Sequence, residues 1–533
     1  MIMMKRQSIA LALLVLGSML TNISAQTTTH MVNPLTYTDI PDNDVIRVGD
    51  DFYMVSTTMF LCPGAPIMHS KDLVHWRIVN YIYDYLADDD IYNLRNGKNA
   101  HGKGQWATTL RYRDGVYYAL FIANDQHKTY VYRTTDIMNG KWERNEIEGA
   151  FFHDASLLFD NDGRVYVVYG NGELHITELN PDLRAVKQGG VNQILISTPR
   201  QGFGLRAEGA HFYHIGDYYY VIVIDWPSGQ PRTERCFRSK TLLGEYESKI
   251  ILQGTFDGRD DGVAQGAIFD TPRGDWYSVM FQDHGAVGRV PTLQPLTWIE
   301  GWPMLGDNGK PVKEFDVKLQ PYGEDHVWAS DEFTYKSNDD LDLVWQWNHK
   351  PINSDWSVTA RKGWLRLTTS QLATSIFNAR NTLTQRTVGP RCIDETMLDA
   401  SGMKPGDRAG LCAFMSNYCS IGVEVDDAGQ RFIVASSGNL RSSNEELRVP
   451  LKGKKAWFRI KYVFTPQADD TCGPDKAFMS YSTDGKKWTD VDYQLQMRYT
   501  LDLFIGYKAA LYNYPTKQVG GYADFDYFHQ WVY

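Results

Sequence analysis

A β-hairpin pattern that recurs five times in the first 300 residues is the strongest constraint on how this chain folds. Each copy has a short apolar strand, a turn with Gly, Asp or Asn, and an aromatic-rich strand, as in ATTLRYRDGVYYALFIA from Ala107. The turns are 64, 48, 54 and 58 residues apart and are marked by Asp50, Asp114, Asp162, Gly216 and Gly274. Each interval accommodates about four strands of ~5 to 6 residues with their loops. The repeat therefore predicts an all-β chain with a five-bladed β-propeller over residues 31–325, and an irregular β-sandwich is the alternative.

Three acidic residues occupy the same place in this repeat. Eight residues before the first four turn markers stand Asp42, Trp106, Asp154 and Glu208, and ten before the fifth stands Ala264 with Gln265 beside it. The innermost strand of each propeller blade lines the central channel, so residues at one shared offset are expected to form a ring near the axis. A solvated turn would explain any single acid. Three acids in register crowd negative charge at a channel mouth, which indicates a functional role.

The motifs around these acids resemble glycoside hydrolase family 43. The strings IPDNDVIRVGDDFYMVSTT, HDASLLFDNDGRVYVVYG and RAEGAHFYHIGDYYY are similar to its three acidic motifs, and SKDLVHW at 70–76 is similar to the motif that closes its first blade. The last-blade string AQGAIFDTPRGDWYSVMFQDHGAVGRVPTLQPLTWIEGWPMLG is similar to the xylosidase and arabinofuranosidase branch. The resemblance covers about residues 33–310 and recurs in every blade.

This resemblance implies a role for each acid. Asp42 would be the general base that activates water, and Glu208 the general acid that protonates the leaving oxygen. Asp154 would tune the pKa of this acid and help to orient it. A pair of carboxyl groups with these roles is what glycoside hydrolysis requires. The family inverts the anomeric configuration, an outcome that needs ~6.5 to 9.5 Å between base and acid so that water fits between them.

Six further residues are candidates for substrate binding: Trp106, Arg289, His284, Phe60, Trp226 and Phe281. The resemblance implies that Trp106 is an apolar floor for the sugar and that Arg289 binds its hydroxyl groups, a role that a planar group with several donors suits. His284 lies in a QDHG segment expected near the site, and the other aromatic residues could wall the pocket. Ordinary packing or a surface ion pair is the alternative for each.

No cofactor is required for this chemistry, and the sequence gives little sign of a metal. Many members of the family place a His just before the Gln-Gly of the last blade, where it helps to bind a water cluster or calcium ion in the channel, but here that position is Ala264. The DNDG string at 160–163 is better explained as a hairpin turn than as a calcium loop. A structural calcium ion is predicted only in the second domain, near Asp331, Glu332, Asp524 and Asp526.

The pattern changes over residues 331–533. Alternating strands such as GWLRLTT, SIGVEVD and KAWFRIKYVF predict an antiparallel β-sandwich. The segment WQWNHKPINSDWSVTARKGWLRLTT resembles the concanavalin-like C-terminal domain that accompanies this branch of the family. Such a domain either binds glycan or braces the propeller's pocket with a loop. The brace is favoured because no open aromatic platform is identifiable.

Residues 1–25 have the pattern of a secretory signal peptide, with Lys5 and Arg6 before an apolar stretch and a small-residue ending at Ser24-Ala25. We predict cleavage before Gln26, a periplasmic or extracellular location and no membrane span after cleavage, with an uncleaved anchor as the alternative. A formal net charge of −10 without a basic tract argues against a nucleic-acid partner. Six cysteines are too few for a disulfide framework, although a bridge among the four after residue 390 is left open.

These features together predict an inverting, exo-acting hydrolase that removes β-D-xylosyl or α-L-arabinofuranosyl units from xylan-derived or arabinose-containing oligosaccharides. The insert LADDDIYNLRNGKNAHGKGQ at 86–105 is expected to turn an open cleft into a pocket. The alternative is a noncatalytic glycan-binding propeller of a surface polysaccharide-uptake system, against which the three intact acids argue. A retaining fructan enzyme would show a WMNDPNG-like opening, which this chain lacks.

Overall fold

The regular structure is almost entirely β-strand. The computed structural model describes residues 28–256, 259, 261–464 and 475–533, so the predicted signal peptide and Cys472 lie outside the described residues. Short 3₁₀ helices are found at Gly285–Val287, Asn338–Asp340, Asn353–Asp355 and Ile376–Asn378.

Five antiparallel four-stranded sheets form the first domain, which confirms the predicted five-bladed propeller. Blade I contains Asp44–Val48, Asp51–Val55, Gly64–Ser70 and Arg77–Tyr83, and blade II contains Thr109–Arg113, Val116–Ala123, Lys128–Thr134 and Glu143–Glu146. Blade III contains Ser156–Phe159, Val165–Tyr169, Glu173–Leu179 and Asn192–Ser197. Blade IV contains Phe203–Ile215, Tyr218–Pro227, Thr233–Ser239 and Glu247–Gln253, and blade V contains Ala264–Asp270, Trp276–Asp283, Arg289–Ile299 and Trp302–Leu305.

The turn residues used to find the repeat form the first hairpin turn of each blade. In blade II, Arg113 pairs with Val116 across Asp114 and Gly115, whose φ values of 52° and 83° are the left-handed pair that tight hairpins require. Asp and Gly are the residue types that adopt this conformation most readily. The turn chemistry of the sequence therefore sets the strand pairing of each blade.

The ring of blades is closed by noncovalent contacts between its ends. Phe52 of blade I packs against Phe269 of blade V, with 5.9 Å between ring centroids. An additional two-stranded sheet pairs Thr29–Val32 with Glu314–Val317, so that residues before blade I and after blade V are joined by backbone hydrogen bonds. These contacts fix blade I beside blade V, which brings the start and the end of the propeller to one active site.

Two sheets packed face to face form the second domain, which confirms the predicted β-sandwich. One sheet has, in spatial order, Ser443–Pro450, Arg431–Asn439, Asn417–Val425, Asp407–Phe414, Lys508–Pro515, Leu383–Arg386, Gln346–Asn348 and Leu61–Cys62. The other has Trp356–Ser357, Leu365–Thr368, Tyr522–Val532, Arg391–Asp399, Lys455–Val463, Lys476–Ser482 and Thr489–Gln496. Buried residues such as Leu411, Ile421 and Phe458 fill the space between the sheets.

The two domains share this core. Strand Leu61–Cys62 belongs to blade I in sequence but pairs with Gln346–Asn348 at the edge of the sandwich sheet. The insert at 86–105 also packs on the sandwich, because the Ala100 amide donates to His349 Nε2 (2.8 Å) and Arg380 Nη1 donates to the Asn93 carbonyl (2.9 Å). The sandwich and the propeller are therefore joined by strand pairing, hydrogen bonds and a common hydrophobic core.

The cysteines of the described residues are not cross-linked. Cys62, Cys236, Cys392, Cys412 and Cys419 are all buried free thiols. Over the same described residues, no helix combines the length and apolar character needed to traverse a lipid bilayer.

Candidate active site

The residues at the shared repeat offset meet at the propeller axis. Asp42, Asp154 and Gln265 line one small cavity, and each has a left-handed backbone, with φ of 52°, 48° and 61°. Asp42 and Asp154 stand two residues before the innermost strands of blades I and III, while Gln265 lies within the first strand of blade V, beside a register shift. Left-handed non-glycine residues are uncommon and concentrate at functional sites. The register seen in the sequence thus corresponds to a shared backbone geometry for Asp42 and Asp154, whereas Glu208 lies inside strand Phe203–Ile215 without a left-handed backbone.

Asp42 is held by two donors. Arg289 Nη1 lies 2.6 Å and Gln265 Nε2 lies 3.2 Å from Asp42 Oδ1. Both donors require an acceptor, which an ionised carboxylate provides. Because a charged guanidinium and an amide fix one oxygen, the other carboxylate oxygen remains for a water molecule.

Glu208 lies close to Asp154 and His153. Glu208 Oε2 accepts a hydrogen bond from Asn171 Nδ2 and lies 3.6 Å from His153 Nε2, which itself is 3.7 Å from Asp154 Oδ2. The residue after Glu208 is Gly209, at φ of 63°, where an added Cβ would lie 2.8 Å from the Gln265 side chain. This close approach explains the glycine in the RAEGAH motif.

Burial and charge shift the protonation of two of these groups. Burial raises the pKa of Asp154, and the negative charges of Glu208 and Asp42 raise it further, against the opposing charge of His153. Burial lowers the pKa of His153, but its hydrogen bond to Glu208 and the charge of Asp154 outweigh that effect, so the pKa is raised. A cationic His153 is therefore favoured near neutral pH, and Asp154 keeps its proton to a higher pH than a free carboxyl group, because its pKa is raised.

Arg289 has donors without partners. Its side chain is buried, Nη1 is bonded to Asp42, and its Nε and Nη2 atoms have no hydrogen-bond partner. Buried donors without partners cost free energy, on the order of 1 to 3 kcal/mol each, unless a ligand or water satisfies them. The sequence-predicted role of Arg289 in binding sugar hydroxyl groups is consistent with this geometry.

An aromatic wall built from both domains covers the site. Trp106 is half-buried, with its ring centroid 5.9 Å from that of His153 and 5.6 Å from that of Phe504. Phe504 also stacks under the Arg289 guanidinium at 4.6 Å. Phe504 belongs to the connection between Thr489–Gln496 and Lys508–Pro515, so the sandwich supplies a residue to the propeller's pocket. The brace interpretation of the sandwich agrees with this contact.

The other sequence-predicted aromatic residues lie farther into the structure. Phe60 is fully buried between His101 and His349, with centroid distances of 4.7 and 4.8 Å, and so packs in the interdomain core. Phe281 is buried below Arg289, at 5.4 Å. Trp226 in blade IV is half-buried, and the Arg232 guanidinium covers its ring at 4.7 Å.

His284 is buried beside the site. Its Nδ1 atom lies 3.0 Å from the Tyr37 hydroxyl, and burial, with the positive charges of Arg259 and Lys313, lowers its pKa to about 3. Its Nε2 atom has no hydrogen-bond partner. The residue is therefore neutral, and its role in binding substrate stays a prediction.

His153, Asn171 and Phe504 are functional candidates that sequence reasoning missed. His153 precedes Asp154 in the HDASLLF motif, and this position next to a candidate acid is the sequence feature that could have identified it. Asn171 and Phe504 lie in connections between strands and become site residues only through contacts distant in sequence.

The axial cavity below the acids is small. Its volume is about 10 Å³, and besides Asp42, Asp154 and Gln265 its lining includes Thr108, Thr109 and His211. This is space for about one water molecule. Among the described residues, the one trio with donor atoms within 4.8 Å of each other is His153, Asp154 and Glu208, which is the acid side of the site.

The calcium site predicted in the sandwich involves carboxylates with separate partners. Asp331 accepts from the Phe333 amide, the Tyr335 hydroxyl and the Trp345 indole, and Asp524 accepts two hydrogen bonds from Arg366. Glu332 is paired with His529. The calcium ion there, with Asp526 as a further ligand, stays a prediction, and these protein donors argue against it.

Replacing Phe504 with Ala tests whether the sandwich contributes to the pocket. We expect KM for an aryl glycoside substrate to rise by a factor of about 5 to 30, because removing an aromatic wall costs roughly 1 to 2 kcal/mol of binding. Phe432→Ala is the matched control, since Phe432 stacks on Arg448 elsewhere in the sandwich. Equal KM values for the Phe504→Ala protein and the wild type would show that Phe504 does not contact substrate.

Comparison with known proteins identifies relatives of both domains. The model of "Glycosyl hydrolases family 43" matches residues 31–303, and that of "Beta xylosidase C-terminal Concanavalin A-like domain" matches residues 330–530. A beta-xylosidase of Formosa agariphila is 27% identical over 93% of this chain and 89% of that protein. A non-reducing end alpha-L-arabinofuranosidase of Bacteroides ovatus is 30% identical over 68% of this chain and 69% of that protein.

Solved structures show the same architecture. A structure described as a bifunctional GH43-CE protein of Bacteroides eggerthii superposes with a TM-score of 0.87 at 43% identity, covering 95% of this chain. The present chain spans 64% of that protein's length. The fold, the acids at the propeller axis and the match of both family models agree, and this chain belongs to glycosyl hydrolase family 43.

Proposed function

We propose that this enzyme is an inverting, exo-acting glycosidase that releases β-D-xylosyl or α-L-arabinofuranosyl units from xylan-derived or arabinose-containing oligosaccharides. The observation that carries the proposal is that the two acids have separate sets of partners. Asp42 is held by Arg289, and Glu208 is held by Asn171 and lies beside His153. This arrangement suits a base and an acid acting on opposite faces of one sugar.

In the proposed mechanism, Glu208 donates its proton to the glycosidic oxygen as the bond to the anomeric carbon breaks. A water molecule attacks that carbon from the opposite face, and Asp42 accepts the proton of this water. The positive charge of His153, which lies 3.6 Å from Glu208 and 3.7 Å from Asp154, stabilises the carboxylate that remains on Glu208 after its proton has gone to the glycosidic oxygen. Arg289 binds sugar hydroxyl groups with the donors that are unpaired in the free enzyme.

The exo mode is supported by how the site is enclosed. Phe504 from the sandwich meets Trp106 at the end of the insert, so the walls come from both domains. An aromatic face packs well against the C–H surface of a sugar ring, and a pocket closed on one side admits the end of a chain.

The names of the relatives support xylose and arabinose as the sugars that are released. The two named above are a beta-xylosidase and an arabinofuranosidase, and a further relative, from Butyrivibrio fibrisolvens, is named a xylosidase/arabinosidase. Secretion to the periplasm or the exterior is part of the proposal and is supported by the composition of residues 1–25. A noncatalytic glycan-binding propeller is not favoured, because binding alone requires neither a base nor an acid.

Hydrolysis of defined pentosides tests the proposal. We expect turnover of nitrophenyl β-D-xylopyranoside, nitrophenyl α-L-arabinofuranoside or both, with single pentose units released from the non-reducing end of xylotriose. Proton NMR at early times should show the anomer of inverted configuration. Release of internal fragments, a retained anomer, or no turnover of any pentoside would each contradict the proposal.

A further inference from the structure

A polar groove on the sandwich lies next to the active-site pocket. Its volume is about 630 Å³, and it is formed by two hairpin turns, at 414–417 and 439–443, and by the end of strand Thr489–Gln496 with the loop that follows. The lining side chains used below are Arg441, Ser442, Asn444, Tyr493, Arg498 and Asp502. This volume is within the range of small-molecule sites in proteins, about 300 to 1,000 Å³.

The groove and the pocket share one wall. In the loop after Gln496, Phe504 faces Arg289 and Trp106, whereas Arg498, Thr500 and Asp502 line the groove. Tyr507 joins the two sides, because its amide donates to the Ala286 carbonyl of blade V (3.0 Å) and its hydroxyl donates to the Asn417 carbonyl (2.6 Å). The groove therefore lies directly beside the Phe504 wall of the pocket.

The groove has two arginine side chains without acidic partners. Neither Arg441 nor Arg498 forms a side-chain hydrogen bond or ion pair within the described part of the chain, and both are exposed. The one acid of the lining, Asp502, accepts a hydrogen bond from the Thr500 hydroxyl (3.1 Å). The lining is therefore net positive in a protein whose formal charge is −10.

We propose that this groove binds the leaving-group side of the oligosaccharide substrate and selects chains that carry a uronic acid branch. Guanidinium groups pair with carboxylates through two parallel hydrogen bonds, which makes two free arginines a suitable site for a sugar carboxylate. The side chains of Ser442 and Asn444 match sugar hydroxyl groups, and the half-exposed Tyr493 offers a ring face. The inference deepens the proposed function and rests on it.

Titration calorimetry on the full-length Glu208→Gln protein tests the groove without hydrolysis. The probes are xylotetraose and a xylotetraose that carries one glucuronic acid branch. We expect the acidic probe to bind more tightly, and Arg441→Gln with Arg498→Gln in the same background to weaken its binding at least about tenfold, the effect of losing one to two charge-assisted hydrogen bonds. The affinity for the neutral probe, xylotetraose, should fall much less in this double variant.

Arg273→Gln is the matched control, since Arg273 is an exposed arginine in the first hairpin turn of blade V. An unchanged Kd for the acidic probe in the double arginine variant would overturn the inference. Equal affinity of the Glu208→Gln protein for both probes would also overturn it. The proposed function is tested separately by pentoside turnover in the wild type, so the failure of one is distinguishable from the failure of the other.

Discussion

Replacing Glu208 with Gln is expected to lower kcat for xylo-oligosaccharides by a factor of about 10² to 10⁴, the usual contribution of a positioned general acid. Gln has nearly the same shape and can still accept from Asn171, so the pocket should keep its form. What is lost is the proton that the leaving oxygen needs. The measurement is kcat from initial rates of xylobiose or arabinosyl-oligosaccharide hydrolysis.

Glu245→Gln is the control for this substitution, since Glu245 is an exposed residue between two strands of the same blade. Its kcat should match that of the wild type. A Glu208→Gln protein with wild-type kcat would show that Glu208 is not the proton donor.

The second large effect is expected from Lys508→Met, which breaks a buried ion pair between the domains. Lys508 Nζ lies 3.3 Å from Asp39 Oδ2, and both side chains are only 4% exposed. Asp39 also accepts from the Gly506 amide (2.8 Å) and the Arg289 amide (3.0 Å). Burial raises the pKa of Asp39, but the charges of Lys508 and Arg289 lower it more, so Asp39 is ionised.

Without Lys508, this ionised carboxylate would stay buried with one charge partner fewer. Removing one member of a buried ion pair destabilises a protein by about 3 to 5 kcal/mol, so the urea midpoint of Lys508→Met should fall clearly below that of the wild type. The exposed pair Lys517–Asp427 provides the control, because Lys517→Met should cost less than about 1 kcal/mol. Asp39→Asn in the Lys508→Met background should restore part of the loss, and an unchanged midpoint for Lys508→Met would contradict the interpretation.

Local patterns were sufficient to predict the propeller and its acids. Hairpin turns such as Asp114-Gly115 are determined by neighbouring residues, and the repeat places Asp42, Asp154 and Glu208 at one offset before them. Because propeller geometry converts a shared offset into a shared position at the axis, the acidic positions followed from counting along the chain.

Contacts between distant residues could not be predicted in this way. Phe504 reaches Trp106 from about 400 positions away in the chain, and Lys508 reaches Asp39 from 469 positions away. The number of aromatic residues in a sequence also does not show which of them line the pocket and which pack in the core. Phe60 was a candidate for the pocket on this basis, but it packs between two histidines in the interdomain core. Such residues become recognisable only when both domains are placed together.

The roles of Glu208 and Asp42 are tested most directly by comparing Glu208→Gln and Asp42→Asn on pentosides with poor and good leaving groups. A leaving group of low pKa needs no proton, so the loss in Glu208→Gln should mostly disappear on a dinitrophenyl pentoside but persist on an alkyl pentoside. Asp42→Asn should lose a similar factor on both substrates, because water must be activated in either case. An equal loss in Glu208→Gln on both leaving groups would contradict its assignment as the acid that acts opposite Asp42.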